Sequence, residues 1–341
     1  MASIIECRLC HRRCRLSEGE RGDCRVRINL EGKLFSLVYG KPCSVHVDPI
    51  EKKPLFHVLP QSRTFSIATA GCNLHCKFCQ NWEISQRPPE ELRNIDLPPQ
   101  AVVDHAKHNS CQGIAYTYSD PVIFYEYMFD TAVIARRHGL LNLMITAGFI
   151  EEEPLRELCP VIDAANVDLK GITEEYYRDM CSAELAPVLK AIKIMREEGV
   201  WVELTNLVIP TWNDQEKNIR DLCRWVVDNV GPDVPLHFSR FWPRHQLNNL
   251  PPTPHGTLDT ARRIALAEGI HYSYVGNIPG HEGNSTYCPV DGKLLIKREG
   301  YHILENNIVD GKCRFCQTPV PGIWSPRDMK EIKDENSMYA S

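Results

Sequence analysis

Between residues 65 and 276, short apolar runs alternate with stretches of helical period. The runs at 65–70, 113–118, 142–146, 165–169, 201–207, 235–239 and 271–275 read as strands. Several are apolar without strict alternation, as in a parallel sheet covered on both faces. The spacers carry apolar residues at helical spacing over 100–109, 123–138, 186–198, 215–230 and 258–268, with a shorter candidate at 173–180. Strand–helix repetition on this scale predicts an α/β fold, a partial (β/α) TIM-like barrel. The units begin only at Phe65 and no helix follows the strand ending near Val275. Seven strands at most leave one side of the barrel unclosed.

Around this core the chain divides into four expected segments. Residues 1–60 form a Cys-rich module followed by short strands near 34–38 and 44–47, and 61–280 form the barrel. Residues 281–324 make a ribbon-like appendix with further cysteines, and 325–341 make a polar tail expected to fray. At 341 residues the chain is long enough to bury a full core. No apolar run approaches the length of a membrane span, and the N-terminus offers cysteines and arginines where a signal peptide needs an apolar stretch. The expected location is cytoplasmic, with no membrane partner. A net charge of -5 argues against a whole-surface nucleic-acid binder. The local exception is Arg8, Arg12, Arg13, Arg15, Arg21, Arg25 and Arg27. These either offset metal-bound thiolates or present an RNA- or acid-binding face.

Fifteen cysteines are many for a chain in reducing conditions, where clustered cysteines read as metal ligands rather than disulfides. Cys43, Cys111, Cys159, Cys181 and Cys223 stand alone and read as small core residues. The other ten fall into three groups. Cys72, Cys76 and Cys79 have the spacing C-x3-C-x2-C directly after the first barrel strand. A shuffled chain of this composition would contain that spacing roughly 3% of the time, so its position matters more than its occurrence. Three thiolates on one loop hold three irons of a cubane and leave the fourth open. A single zinc would need a fourth ligand, and His75 is poorly placed to be one. The C-terminal ends of barrel strands, where active sites lie, supply further polar groups. They are Tyr118, Ser119 and Asp120, then Thr146 and Gly148, Asp168 and Lys170, Asn206, His237 and Arg240, and Gly276 and Asn277.

The remaining cysteines form two accessory sets. Cys7, Cys10, Cys14 and Cys24 offer four ligands, enough for tetrahedral zinc or a second Fe–S cluster. Cys288, Cys313 and Cys316 resemble a zinc ribbon in which Asp291 stands where a second knuckle cysteine is expected. A Cys3Asp zinc site, an Fe–S cluster with an oxygen ligand or open iron, and a site that has lost its metal all remain open.

The C-x3-C-x2-C loop with Phe78 before its last cysteine resembles the signature of the radical S-adenosylmethionine (SAM) superfamily. The stretches GCNLHCKFCQNWEIS, GIAYTYSDP, VDLKG, LHFSRFWP and GNIPGHEGNSTYCP resemble its pyruvate formate-lyase activating enzyme-like branch. Within that branch they resemble the radical SAM enzyme of the AmmeMemoRadiSam system, over about residues 7–324. The resemblance implies a [4Fe–4S] cluster on Cys72, Cys76 and Cys79, with SAM on its open iron. Phe78 is then expected near the adenine, and Ser119 and Asp120 at the ammonium. Asp168 and Lys170 fall near the carboxylate, and Asn206 and His237 are candidates for the ribose. Thr146 and Arg240 complete the expected cofactor rim. Relatives carry Asn-Glu-Pro where this chain has Ser119-Asp120-Pro121, which puts the ammonium assignment in question. The implied chemistry is reductive SAM cleavage to a 5′-deoxyadenosyl radical that takes hydrogen from a substrate. An electron donor of the ferredoxin or flavodoxin type is implied with it, as is association with Memo-like and AMMECR-like proteins.

Three functional classes follow. One is an enzyme acting on a protein or peptide admitted by an open barrel. Another is an enzyme acting on a small metabolite, with the metal modules capping the barrel mouth. The third is a non-catalytic adaptor for RNA or protein built on the arginine-rich N-terminus, which leaves the polar rim unexplained.

Overall fold

A computed structural model describes residues 4–325. The expected polar tail beyond Ser325 lies outside them. The centre is an eight-stranded sheet whose neighbours follow chain order: β1 (Ser44–Pro49), β2 (Arg63–Ala68), β3 (Gly113–Tyr116), β4 (Leu141–Thr146), β5 (Ala164–Asp168), β6 (Trp201–Val208), β7 (Leu236–Arg240) and β8 (Ser273–Gly276). β1 runs antiparallel to β2, and every later pair is parallel. β1 and β8 are not paired with each other, so the barrel is partial and open between them. All seven expected strands form, within a few residues of their expected ends.

The crossovers are α1 (Pro99–His108), α2 (Tyr125–Arg137), α3 (Glu152–Leu158), α4 (Leu185–Glu197), α5 (Glu216–Val230) and α6 (His255–Ala267). In α5 the buried residues are Ile219, Leu222, Cys223, Val226 and Val230, one stripe at helical spacing against the sheet. After α2 and α6, Gly139 (φ 68°) and Gly269 (φ 98°) turn the chain back toward the next strand in a conformation that side chains resist. α3 is not among the helices expected from the sequence; it is short, and Pro154 falls in its first turn. Proline is tolerated there, since a first-turn N–H has no partner in the helix.

Two expectations about the ends need correction. The short strand near 44–47 does not belong to the N-terminal module: it is β1, part of the barrel sheet. The segment after it turns under the barrel, where Ile50, Leu55 and Val58 pack with Ala115, Leu141, Leu143, Ala164 and Ile323. A partial barrel lacks enough inward side chains to fill its own base, and this segment fills it. Nor does the C-terminal appendix cap the mouth. Its strands β9 (Thr286–Tyr287), β10 (Leu294–Glu299) and β11 (His302–Asn306) pack at the opposite end, against Phe56, Tyr272 and Tyr274. Arg298 reaches in from β10 and donates to Phe56 O at 2.8 Å and Thr286 Oγ1 at 2.7 Å.

Glu203 on β6 ties these parts together. Fully buried, it accepts from the backbone N–H of Phe56 (3.0 Å) and His57 (2.7 Å), from the Trp201 indole (3.2 Å) and from His237 Nε2 (2.7 Å). Burial opposes its ionisation, but the bonds from His237 and the plug segment hold its carboxyl below the usual range. Glu203→Ala leaves four backbone or ring donors unpaired and is expected to cost about 3–5 kcal/mol in chemical denaturation. Because the folded value is depressed, this contribution is complete above the unfolded value of about 4.3 and is lost as pH falls through the folded one. A wild-type acid transition that Glu203→Gln leaves unmoved would contradict this assignment.

Candidate active site

The loop after β2 carries Cys72, Cys76 and Cys79. The first two are buried and the third half-buried, its Sγ 3.3 Å from Ser85 Oγ. The loop is anchored from several strand ends. Asn73 Nδ2 donates to Phe149 O at 2.8 Å, and the N–H groups of His75 and Lys77 donate to Cys181 O and Met180 O at 3.0 and 2.9 Å. The last two acceptors lie on a π-helical turn, Tyr177–Cys181, where the helix expected at 173–180 breaks its regular bonding. His75 points away from the thiols, held between Gln86 and Asp23 at 2.8 Å each. The three sulfurs do not all lie within 4.8 Å of one another, too spread for one zinc and suited to a cubane with one thiolate on each of three irons. Burial pushes the Cys72 thiol well up. Such a thiol stays protonated and inert until a metal displaces its proton.

The expected rim residues separate into those that face this loop and those committed to the fold. Lys170 does face it: its Nζ is 2.9 Å from Asp168 Oδ2 and 5.8 Å from the Phe78 ring centre. Burial alone would lower its pKa, but Asp168 and the nearby Cys76 raise it well above the usual value. Asp168 remains two-fifths exposed, open to a ligand. Asp120 is buried and has a structural task unseen in the sequence. It accepts from Val122 N (3.1 Å), Thr146 Oγ1 (2.9 Å) and Ala147 N (2.8 Å), clamping the turn after β3 to the end of β4. Ser119 Oγ is likewise used, donating to Thr69 O at 2.9 Å. Asn206 Nδ2 donates to Leu169 O at 2.8 Å and pins the β5 end. Phe78 is buried, its ring turned toward Tyr176. His237 sits between Phe56 and Tyr274 with Nε2 on Glu203, which leaves only its Nδ1 for a ligand. Arg240 donates to Thr253 O at 2.8 Å and lies over Trp242, at the far side of the rim.

The radical SAM superfamily pattern matches residues 66–223, which include the cysteine loop and every strand from β3 to β6. The chain is also 46% identical over 314 residues to the uncharacterized protein MJ0808 of Methanocaldococcus jannaschii, covering 92% of this chain and 93% of that one. This chain belongs to the radical SAM superfamily. The pyruvate formate-lyase 1-activating enzyme of Escherichia coli K12 is 23% identical over 164 residues, 46% of this chain and 66% of that enzyme. Two solved structures share the radical SAM fold. A radical SAM methyltransferase from Sphaerobacter thermophilus has a TM-score of 0.52 at 17% identity, over 69% of this chain and 71% of that one. Streptococcus suis SuiB bound to precursor peptide SuiA has a TM-score of 0.51 at 10% identity, over 68% and 52%. Radical SAM enzymes use a [4Fe–4S] cluster and SAM, and the rim described above fits both.

Beside the radical SAM loop lies a group that the sequence reading missed. On the open side of the barrel, Asp48 Oδ2 accepts from Lys53 Nζ at 2.6 Å and from the Tyr118 hydroxyl, and its Oδ1 accepts from Lys52 Nζ at 2.9 Å. Lys53 is buried, its Nζ 4.4 Å from the Tyr118 ring centre. Burial pushes its amine down to about 8, although Asp48 pulls the other way. A polar cavity of ≈ 220 Å³ opens here, lined by Ser44, His46, Lys52 and Tyr118 and, just past Cys79, by Gln80 and Asn81. The only signal in the sequence was two lysines following Asp48, in a segment assigned to the wrong domain.

Both accessory cysteine sets fold into groups. Cys288, Asp291, Cys313 and Cys316 bring one ligand atom each within 4.8 Å of all the others. The Cys288 and Cys316 sulfurs are 3.5 Å apart, and a buried Asp291 oxygen makes no hydrogen bond but lies 3.7 Å from Lys293 Nζ. The N-terminal set lies against the radical SAM loop, and four of the seven arginines there are taken up by bonds to other segments, while Arg8 stays exposed. Arg12 donates to Asn73 O and Ser182 O, Arg13 pairs with Glu151, Arg21 with Glu90 and Arg27 with Glu126. Their task is to dock the module onto the barrel.

Docking leaves no space at Gly71 (φ 86°), where an added Cβ would lie 2.3 Å from Cys24 O and 2.7 Å from Val26 Cγ1. Gly71→Ala must therefore push the module off the loop. A loss of about 1–3 kcal/mol, with earlier proteolytic cleavage within residues 4–40, is expected. Unchanged cleavage kinetics would show that the module does not depend on this contact.

Proposed function

We propose that this protein is a radical SAM enzyme whose cluster is held by Cys72, Cys76 and Cys79, acting on a polypeptide segment admitted through the open side of the barrel. Cluster and SAM together supply reductive cleavage to methionine and a 5′-deoxyadenosyl radical that takes a hydrogen atom from the substrate. The chain's own residues position and shield that chemistry. Asp168 and Lys170 offer a charge pair for the amino-acid end of SAM, and Asp120 acts by holding the β3 and β4 ends in place. Asn206 and His237 Nδ1 are left for the ribose. Lys52 and Tyr118 line the approach from the open side, backed by the buried Asp48–Lys53 pair that hydrogen bonds and packing hold in place.

The observation that carries the polypeptide reading is the placement of the accessory units. The C-terminal unit seals the base, so the open flank beside Cys79 remains accessible. The activating-enzyme relative is named for its action on another enzyme, and SuiB binds a precursor peptide, which supports the same reading. Association with Memo-like and AMMECR-like proteins, and an electron donor of the ferredoxin or flavodoxin type, belong to this proposal on the sequence resemblance alone. A small metabolite in the ≈ 220 Å³ cavity is the second reading. For the C-terminal unit we assign a Cys3Asp zinc, because its ligand atoms have single-metal spacing and Asp291 offers a buried oxygen with no hydrogen bond, 3.7 Å from Lys293 Nζ.

Three outcomes are expected. Asp168→Ala retains the full cluster yet binds SAM at least roughly ten-fold more weakly, about 1.4 kcal/mol, by equilibrium binding under anaerobic conditions. Normal affinity would remove Asp168 from the site. Elemental analysis should find zinc that disappears in Cys313→Ser/Cys316→Ser, and zinc unchanged in that variant would refute the assignment. Finally, cells grown in D2O can be separated into macromolecular and small-molecule fractions and supplied to the reduced enzyme with SAM. Deuterium should enter 5′-deoxyadenosine from the macromolecular fraction, and transfer from the small-molecule fraction alone would overturn the polypeptide reading.

A further inference from the structure

Cys7, Cys10, Cys14 and Cys24 line one small cavity of ≈ 20 Å³, with Arg27 and Asn73 in its wall. A single zinc would draw four thiolates to about 3.8 Å from one another and leave no room among them for a water-sized sphere. The C-terminal set has that compactness, its ligand atoms all within 4.8 Å of each other. Among the described residues the N-terminal set does not: no three of its sulfurs meet that limit. In this it matches Cys72, Cys76 and Cys79. A cubane carries each thiolate on a separate iron and holds them roughly 6 Å apart.

The wall is also suited to an anionic, sulfur-rich occupant. Arg27 is 6% exposed, and while its Nη2 donates to Glu126 at 2.6 Å, its buried Nε has no hydrogen-bond partner. An N–H donor on a guanidinium, placed at this cavity and otherwise unsatisfied, supplies both charge and a hydrogen bond to cluster sulfur. Asp23 N–H already donates to Cys14 Sγ at 3.4 Å. Val122 and Ile123 keep the other side of the cavity apolar.

We propose that Cys7, Cys10, Cys14 and Cys24 bind a second [4Fe–4S] cluster, distinct from the radical-site cluster and from the C-terminal metal. The two clusters would share a wall. Asn73 lines the cavity and adjoins Cys72, and Cys24 O packs against Gly71. The site stands on its own cysteines and does not rest on the assignment of the radical-site ligands.

The test uses full-length protein reconstituted anaerobically with iron and sulfide in the presence of zinc. Wild type is expected to hold about eight irons per chain, two cubanes. Cys72→Ala/Cys76→Ala/Cys79→Ala is expected to lose half of that iron and to retain a reduced-cluster electron paramagnetic resonance signal that SAM does not alter. If that variant fails to fold, the wild-type content decides alone. About four irons with two zincs in wild type would place zinc at the N-terminal site and overturn the proposal. About four irons with no more than one zinc would overturn it as well.

Discussion

An unclosed barrel must have its interior filled from outside the barrel strands, and here the filling depends on the buried Glu203 carboxylate. Its bonds to the Phe56 and His57 amides hold the segment after β1 beneath the strands, and its bond to His237 reaches up toward the rim. His57 then bridges Tyr274 and Pro321, at 2.7 Å each, so the C-terminal unit is secured through the same plug. An ionised carboxylate at zero exposure is tolerated because four donors replace its water. With the base sealed, the rim carrying the cysteine loop and the flank between β1 and β8 are left for chemistry.

The same geometry explains what the sequence made legible. Strand and helix periodicity reported the parallel sheet, because β2 to β8 are buried on both faces and read as continuous apolar runs. The C-x3-C-x2-C loop was legible because all its chemistry lies within eight residues. What remained hidden depends on contacts between distant segments. Asp120 and Thr146 looked like ligand groups at strand ends, yet they bond each other across 26 positions. Asp48, Lys53 and Tyr118 meet only because β1 joins the barrel antiparallel to β2, a pairing that no local pattern announced. Of the arginines that read as an RNA face or as counter-charges, Arg13, Arg21 and Arg27 also tie the module to Glu151, Glu90 and Glu126.

The three cysteine groups show how far residue type alone carries an assignment. Each offers thiols at short sequence spacing, and composition cannot separate zinc from iron. Backbone geometry separates them through sulfur spacing: one set is gathered about a point, and two are spread around a volume. The spread sets lie side by side at the rim end, and the compact one lies at the base. Redox-active metal would thus be concentrated where SAM is expected, with a redox-inert metal stiffening the plug.

The most direct measurement is an anaerobic crystal structure of the reconstituted protein with SAM bound. The expected result has Cys72, Cys76 and Cys79 on one cubane, with the amino and carboxylate groups of SAM on its fourth iron. Asp168 and Lys170 lie beside that end, and the 5′ carbon faces the flank lined by Ser44, Gln80 and Tyr118. SAM bound away from that loop, or a 5′ carbon directed into the plugged base, would contradict the proposed site.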